Sequence, residues 1–390
     1  MSFIQLFFLF GLAASFLVGN VYKINLLGSE VNATYLDLYL LLALLFTLLF
    51  YKKGLIQKIK KIASILMPFG FFVGICILSL VFSLFVFPFV QVLVGSLYLL
   101  RLILYVSSLL FIPLIFKQKN LNLLSRLIGL AVVLASFFQF AFYPDIRHLQ
   151  VSEWDPHYYR VVGSFLDPGF TALILLFVLF YIWIKPQFRK KSLNWLALSV
   201  TYILFALTYS RSGYMAFLGS FGYLSIVRKS PKIFLLSAAL IIATIFLLPR
   251  SPGGEGVKLE RTSSIEARIT NWKNSIRIFA DHPLIGVGFN TYRYAQNSYS
   301  FLDKSSWLRS HSGAGADSSL LFVAATTGIF GLAAYLNWFR SVWIYSGKNM
   351  LFKTSLIALG FHSLFLNSAF YPYVLFWIFL VLSFQEVSSD

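Results

Sequence analysis

Apolar residues run along this chain in long blocks, separated by short polar or basic connections. Blocks long enough to cross a bilayer occur at 3–19, 34–51, 62–84, 94–116, 121–143, 169–185, 193–210, 212–227, 232–248, 317–338, 352–369 and 371–385. A spanning helix needs about 20 apolar residues. The pattern therefore predicts an all-α, polytopic membrane protein with about twelve transmembrane helices. The first block lacks a basic leader and a clear small-residue cleavage site, so it reads as the first helix rather than a signal peptide. Around Pro88 the alternative is a re-entrant piece.

Composition agrees with that reading. The chain is 58% hydrophobic and 12% charged, with a mean hydropathy of +0.78. Soluble domains carry about 25% charge, which excludes a water-soluble enzyme, a disordered chain and a nucleic-acid-binding domain. The net charge of +18 looks like a signal for a polyanion until its distribution is read. Eighteen of the 32 basic residues fall in the even-numbered connections, the largest group being Lys52, Lys53, Lys58, Lys60 and Lys61. The short odd-numbered connections hold Lys23, Arg147, Arg160 and Arg211. Such asymmetry puts both termini in the cytoplasm. Eleven of the 14 acids then fall outside, so polar chemistry is expected on the outer side. Cys76 stands alone and forms no intramolecular disulfide.

Two outer connections are longer than the rest, at 144–168 and 249–316. The chain thus divides into helices one to nine (1–248), a large outer loop (249–316) and helices ten to twelve (317–390). Within the large loop, Ser263-x-x-Glu266 reads as a capping box. Ile265, Ile269, Trp272, Ile276 and Phe279 follow on one helical face, with Arg268, Lys273, Asn274 and Arg277 on the others. Such a helix lies on the membrane surface, apolar side down, or packs within an outer domain.

Signatures of soluble enzymes are missing: no phosphate loop, no Cys or His pair at metal spacing, no Gly-x-Ser-x-Gly. No paired aspartates suggest a divalent cation; Glu153-Trp154-Asp155 comes nearest and reads as loop surface. No metal and no cofactor are therefore expected. What the outer side offers is arginine, whose guanidinium suits bidentate binding of phosphate oxygens. Arg211 lies between helices seven and eight, and Arg160 in the first outer loop. Arg101 lies about seven residues inside its span, where a charge defaults to a functional hypothesis; a snorkelling or acid-paired arginine is the alternative. Histidine is the natural general base. His311 stands near the mouth of helix ten, which Asp317 or Ser318 would cap. His282 either orders a turn or touches substrate. His148 and His157 are loop histidines without a supporting pattern, and His362 is intramembrane with Asn367 nearby.

Taken together these pieces resemble the O-antigen ligase and polymerase family of bacterial envelope proteins. The matching residues are Arg160-x-x-Gly163-x-Phe165-x-Asp167-Pro168 and Ser210-Arg211-Ser212-Gly213, then Trp272 and Ile276 ahead of His282-Pro283 and Gly286-x-Gly288-x-Asn290. His311 and Thr327-Gly328-x-x-Gly331 complete the series, over about residues 155–335. The resemblance implies inverting, metal-independent glycosyl transfer in the cytoplasmic membrane, with the active site facing the periplasm or exterior. The donor would be a glycan on undecaprenyl diphosphate, and the acceptor a sugar hydroxyl on a glycan or lipid-glycan. Arg211 and Arg160 would hold the diphosphate, with Arg277 or Arg293 assisting; Arg101, from its place inside the span rather than from the resemblance, is a further expected substrate contact. His311 would activate the acceptor. One departure is that Ser312, not Asn, follows His311, and Asp317 occupies the helix mouth. Either His311 reaches in over a longer loop, or Asp317 takes the polar role.

Two other classes use the same residues differently. A flippase for lipid-linked glycans would bind the same diphosphate but needs a polar path through both leaflets, and the inner halves of these helices are almost purely apolar. A scaffold or sensor with an outer binding loop leaves Arg101 and the Ser-Arg-Ser-Gly motif unexplained.

Overall fold

The computed structural model describes residues 2–26, 31–152, 156–249, 255–303, 307–308 and 315–384. In chain order its helices are α1 (Phe3–Val18), α2 (Tyr35–Phe50), α3 (Lys52–Lys61), α4 (Ala63–Ser83), α5 (Phe89–Ile115), α6 (Gln118–Phe142), α7 (Pro168–Ile184), α8 (Lys191–Ala206), α9 (Arg211–Val227), α10 (Pro231–Leu247), α11 (Ser263–Asp281), α12 (Tyr292–Ser298), α13 (Ser319–Tyr345), α14 (Met350–Ser363) and α15 (Pro372–Ser383). One departure from the all-α expectation is a small antiparallel hairpin between α1 and α2. There β1 (Ile24–Leu26) pairs with β2 (Val31–Ala33), Asn25 opposite Asn32.

Each of the twelve apolar blocks carries one of these helices. Among them α4, α5, α6 and α13 are long and apolar enough to cross a membrane by length and composition. The bent pair of α2 and α3 makes a fifth if counted as one span, with 107° between the two helices. The others are shorter than the twelve-span pattern assumed; α7, at 17 residues, covers about 25 Å at 1.5 Å per residue. The lysines of the first basic connection form α3 itself, with Leu55 as its one buried side chain.

Local sequence explains where several helices begin. Ser2 with Gln5, and Thr34 with Asp37, form reciprocal capping boxes on α1 and α2. Proline stands in the first turn of α7, α10 and α15, where its missing N–H costs nothing. α7 and α15 are apolar and buried nearly all round, so they form the centre of the bundle. α5 packs on α15 and α2, α8 on α7, α14 on α9, and α4 on α13. Side chains on the periphery point outward even when large and apolar, Phe85 being 84% exposed and Phe246 82%. A surface of that kind is solvated by lipid rather than water.

Two expectations need correction. α11 starts at Ser263 itself, and Thr262, its N-cap, makes no side-chain bond, so the Ser263–Glu266 capping box does not form. α5 begins at Phe89, five residues before the expected span, which puts Arg101 twelve residues inside its helix, or about 18 Å rather than 10 Å from its start.

α13 is broken at Gly328, which has φ +67°. The carbonyls freed there are taken by the loop that follows α11. Val287 donates its amide to Ala325 at 3.1 Å, Gly288 donates to Thr326 at 3.0 Å, and Ile329 donates back to Pro283 at 2.8 Å. That docking fixes α11 and α12 against the N-terminal half of α13. On α11 the docked face carries buried Ser275 and Ile278, while Ile265, Ile269 and Ile276 stay exposed.

Candidate active site

One cavity of about 590 Å³ opens where α7, α9 and α13 begin. Each of those helix starts is built by a local side chain. Asp167 accepts the amides of Gly169 at 2.6 Å and Phe170 at 2.9 Å, capping α7. Ser210 accepts the amide of Gly213 at 3.2 Å on α9, and Ser318 that of Leu321 at 3.5 Å on α13. Helix N-termini carry partial positive charge and exposed N–H groups, and three of them beside one space make it attractive to anions.

Five arginines line the same cavity: Arg160, Arg211, Arg261, Arg268 and Arg293. Arg160 is 7% exposed. Its Nε donates to the Thr208 carbonyl at 2.9 Å and its Nη2 to that of Tyr209 at 3.4 Å, so it holds the turn between α8 and α9. Burial, helped by Arg261 and opposed by Asp167, pushes its pKa down to about 9. Arg211 reaches the segment ahead of α11, its Nη1 donating to the carbonyls of Leu259 at 3.2 Å and Arg261 at 3.1 Å, and its Nη2 to the Ser264 hydroxyl. Arg261 closes its own turn on the carbonyls of Gly256 at 2.7 Å and Lys258 at 2.9 Å, and Arg293 donates to that of Leu308. Arg268 differs. Among the described residues it has no hydrogen-bond or ion-pair partner, yet it lies close enough to Arg160 and Arg211 to repel both. A cluster of this charge, with one guanidinium uncommitted among the described residues, suits an anionic ligand.

Of the sequence-derived candidates, the structure brings Arg160, Arg211, Arg293 and Asp317 together at this cavity. Asp317 is anchored through its backbone, whose amide donates to Asn271 Oδ1 at 2.7 Å and whose carbonyl accepts the Trp272 indole N–H at 2.9 Å. Three candidates lie elsewhere. Arg101 pairs with Asp37 at 2.8 Å and with the carbonyl of Asn32. Arg277 sits 6.0 Å from the ring centroids of Tyr299 and Phe301. His282 ends α11, its amide donating to Ile278 at 3.1 Å, and borders a separate, mostly apolar cavity of about 440 Å³. His311 lies outside the described residues.

Arg261, Arg268, His157, Asn367 and Tyr371 also line the cavity and were not singled out as site residues by sequence. For Arg268 a signal existed. It precedes Trp272 by four residues, so the two are neighbours on the helix surface, and Trp272, with Asn271, ties α11 to the mouth of α13. Asn367 owes its place to the segment between α14 and α15, which no sequence pattern marks.

Residues 195–336 match the family model of O-antigen ligase. The matched O-antigen ligase segment runs from within α8 into α13 and contains four of the five cavity arginines, together with His311 and Asp317. Arg160, Asp167, Phe170, Asn367 and Tyr371 lie outside it, contributed by the flanking chain. The match, over 142 of the 390 residues, supports the resemblance read from the sequence and is consistent with a glycan-transfer role for this membrane protein. No curated protein matches the chain. Among the described residues no three His, Cys, Asp or Glu side chains converge as a metal site.

Proposed function

We propose that the arginine cavity binds the diphosphate of an undecaprenyl-linked glycan, and that the protein transfers this glycan with inversion onto a sugar hydroxyl. The observation that carries this reading is Arg268, uncommitted among the described residues and set beside Arg160, Arg211 and three helix N-termini. Such a site gains most when charge grows on the leaving group, because electrostatic stabilisation acts where charge develops. The bond from the anomeric carbon to the phosphate oxygen breaks, and undecaprenyl diphosphate leaves with the electron pair. The acceptor oxygen forms the new bond from the opposite face and gives its proton to the base. His311 is the proposed base, with Asp317 in its place if His311 does not reach the acceptor.

The distribution of basic residues supports twelve crossings with both termini in the cytoplasm. On that topology the cavity opens outward, where a flipped lipid-linked glycan would meet it. The exposed Ile265, Ile269 and Ile276 of α11 suit the same placement, lying against the outer leaflet.

The test is reconstitution of the purified protein in liposomes with an undecaprenyl-diphosphate glycan and a sugar acceptor. Product formed with inverted anomeric configuration, and one undecaprenyl diphosphate released per bond made, is the expected result. Movement of intact donor between leaflets without a new bond would mean a flippase instead. In cells lacking the gene, accumulated single repeat units on the lipid indicate a polymerase, and accumulated long chains a ligase.

A further inference from the structure

Two cavity-lining side chains carry buried hydrogen-bonding atoms that meet no partner among the described residues: Nε2 of His157 and Oδ1 of Asn367. Leaving such atoms unpaired costs stability, so their persistence beside an open cavity calls for a ligand. Backbone hydrogen bonds hold the two segments in place. The His157 carbonyl accepts the Ile146 amide at 3.0 Å, and the Tyr159 amide donates to Pro144 at 2.8 Å, so the loop crosses back on itself beside Arg160. Next to Asn367, Leu366 donates its amide to His362 at 3.2 Å, and Ala369 donates to the Ser319 hydroxyl at 3.1 Å.

The chemistry of these atoms differs from that of the arginines. A diphosphate offers only acceptors, which guanidinium groups and helix N–H groups satisfy. Oδ1 of Asn367 is itself an acceptor and needs a donor from the ligand. His157 is neutral, because burial, Arg160 and Arg261 push its pKa down to about 3. A base that weak does not take a proton from a hydroxyl. It can still share a hydrogen bond with one, and a hydroxyl matches either tautomer since it both donates and accepts. Phe170 and Tyr371, stacked with ring centroids 3.9 Å apart, add an apolar wall to the same cavity. Anionic oxygens, hydroxyl donors and an aromatic wall together describe a glycosyl diphosphate rather than a bare one.

Resting on the diphosphate reading above, we infer that His157 and Asn367 form a hydroxyl-binding subsite for the sugar attached to the donor diphosphate. Neither is the base; both position the sugar whose anomeric bond breaks.

The experiment compares two probes on the full-length protein in nanodiscs: undecaprenyl diphosphate, and undecaprenyl diphosphate carrying one N-acetylhexosamine. Wild-type protein should bind both, the sugar-bearing probe more tightly. His157→Phe and Asn367→Leu should each weaken the sugar-bearing probe about tenfold, as expected where a hydroxyl loses its partner, and leave the bare probe within about twofold. Retained binding of the bare probe also shows that each variant is folded. His157→Gln, which keeps a neutral hydrogen-bonding group, should lose less than His157→Phe. Equal weakening of both probes, or of neither, overturns the subsite while leaving the arginine site standing. Failure of wild-type protein to bind either probe removes the diphosphate reading and the subsite with it.

Discussion

The amide of Val287 donates to the carbonyl of Ala325 at 3.1 Å, across the break in α13. This contact joins two glycine-containing motifs that lie about 40 residues apart in the sequence. Gly286 and Gly328, with φ +73° and +67°, sit on either side of it. A Cβ on Gly286 would come within 2.3 Å of the Thr326 carbonyl carbon, and one on Gly328 within 2.2 Å of the Leu284 backbone.

Gly286→Ala and Gly328→Ala should therefore both lower the Tm in detergent by several degrees. Left-handed backbone alone costs a residue with a Cβ about 1–2 kcal/mol, and the backbone clash adds to it. Gly360→Ala is the control, because nothing lies within 4 Å of its added Cβ and its site is helical. It should leave the Tm unchanged or slightly raised. Equal melting of all three variants would mean that the junction does not hold α11 and α12.

The two kinds of arginine in the cavity should separate in a transfer assay. Arg268→Ala removes no hydrogen bond among the described residues, so the Tm should hold while turnover falls by about 10²–10³, the usual cost of losing a preorganised donor. Arg211→Ala should likewise abolish transfer with insertion and abundance unchanged. It also frees the Leu259 and Arg261 carbonyls, so limited proteolysis should reveal a new cut in 255–262. Normal product from either variant would remove the diphosphate assignment.

The base is resolved by a second pair. His311→Ala should reduce transfer by about 10²–10⁴, the range for losing general-base catalysis, with donor binding intact. If His311→Ala works and Asp317→Ala does not, the proton goes to Asp317.

Much of this arrangement was legible in the chain, and what was missed has physical causes. The apolar blocks located the helices, because long runs of Leu, Ile, Phe and Val carry their own signal. Of the four candidates that the cavity brings together, Arg211 and Asp317 were legible because polar residues at the ends of apolar helices are conspicuous, Arg160 because it stands in a long outer connection, and Arg293 only through the family resemblance. Arg268 was counted as part of a solvated helix face, since periodicity shows that a face is polar but not what it turns toward. His157 and Asn367 were passed over for a related reason: their roles come from unpaired atoms, and pairing is a property of the folded neighbourhood. Arg101 was read either as a ligand contact or as an acid-paired arginine; the second is what forms, with Asp37, and the hairpin whose Asn32 carbonyl also holds it was not foreseen.

That pairing makes its own prediction. Arg101 and Asp37 have side chains 16% and 13% exposed, and removing one partner of a buried pair costs about 3–5 kcal/mol. Arg101→Met should lower the Tm strongly. Arg101→Met with Asp37→Leu should recover part of the loss, the remainder reflecting the α2 cap that Asp37 also supplies. Should the single variant instead melt like wild type while donor affinity falls, Arg101 belongs to the substrate.

Acid should weaken the fold through His157. In the folded protein its pKa is held down to about 3, against 6.5 ordinarily, by burial and by Arg160 and Arg261. The unfolded chain therefore takes up a proton below about pH 6.5 that the folded chain refuses. The contribution of this residue to stability is complete above that pH and is lost progressively as pH falls toward about 3. His157→Gln cannot titrate, so between about pH 7.5 and about pH 5 its Tm should fall less than that of wild type. Carboxylates elsewhere titrate alike in both proteins and cancel in the difference. Parallel loss of Tm would mean that His157 is protonated as readily in the fold as outside it, and that its imidazole is open to water rather than set into the cavity wall.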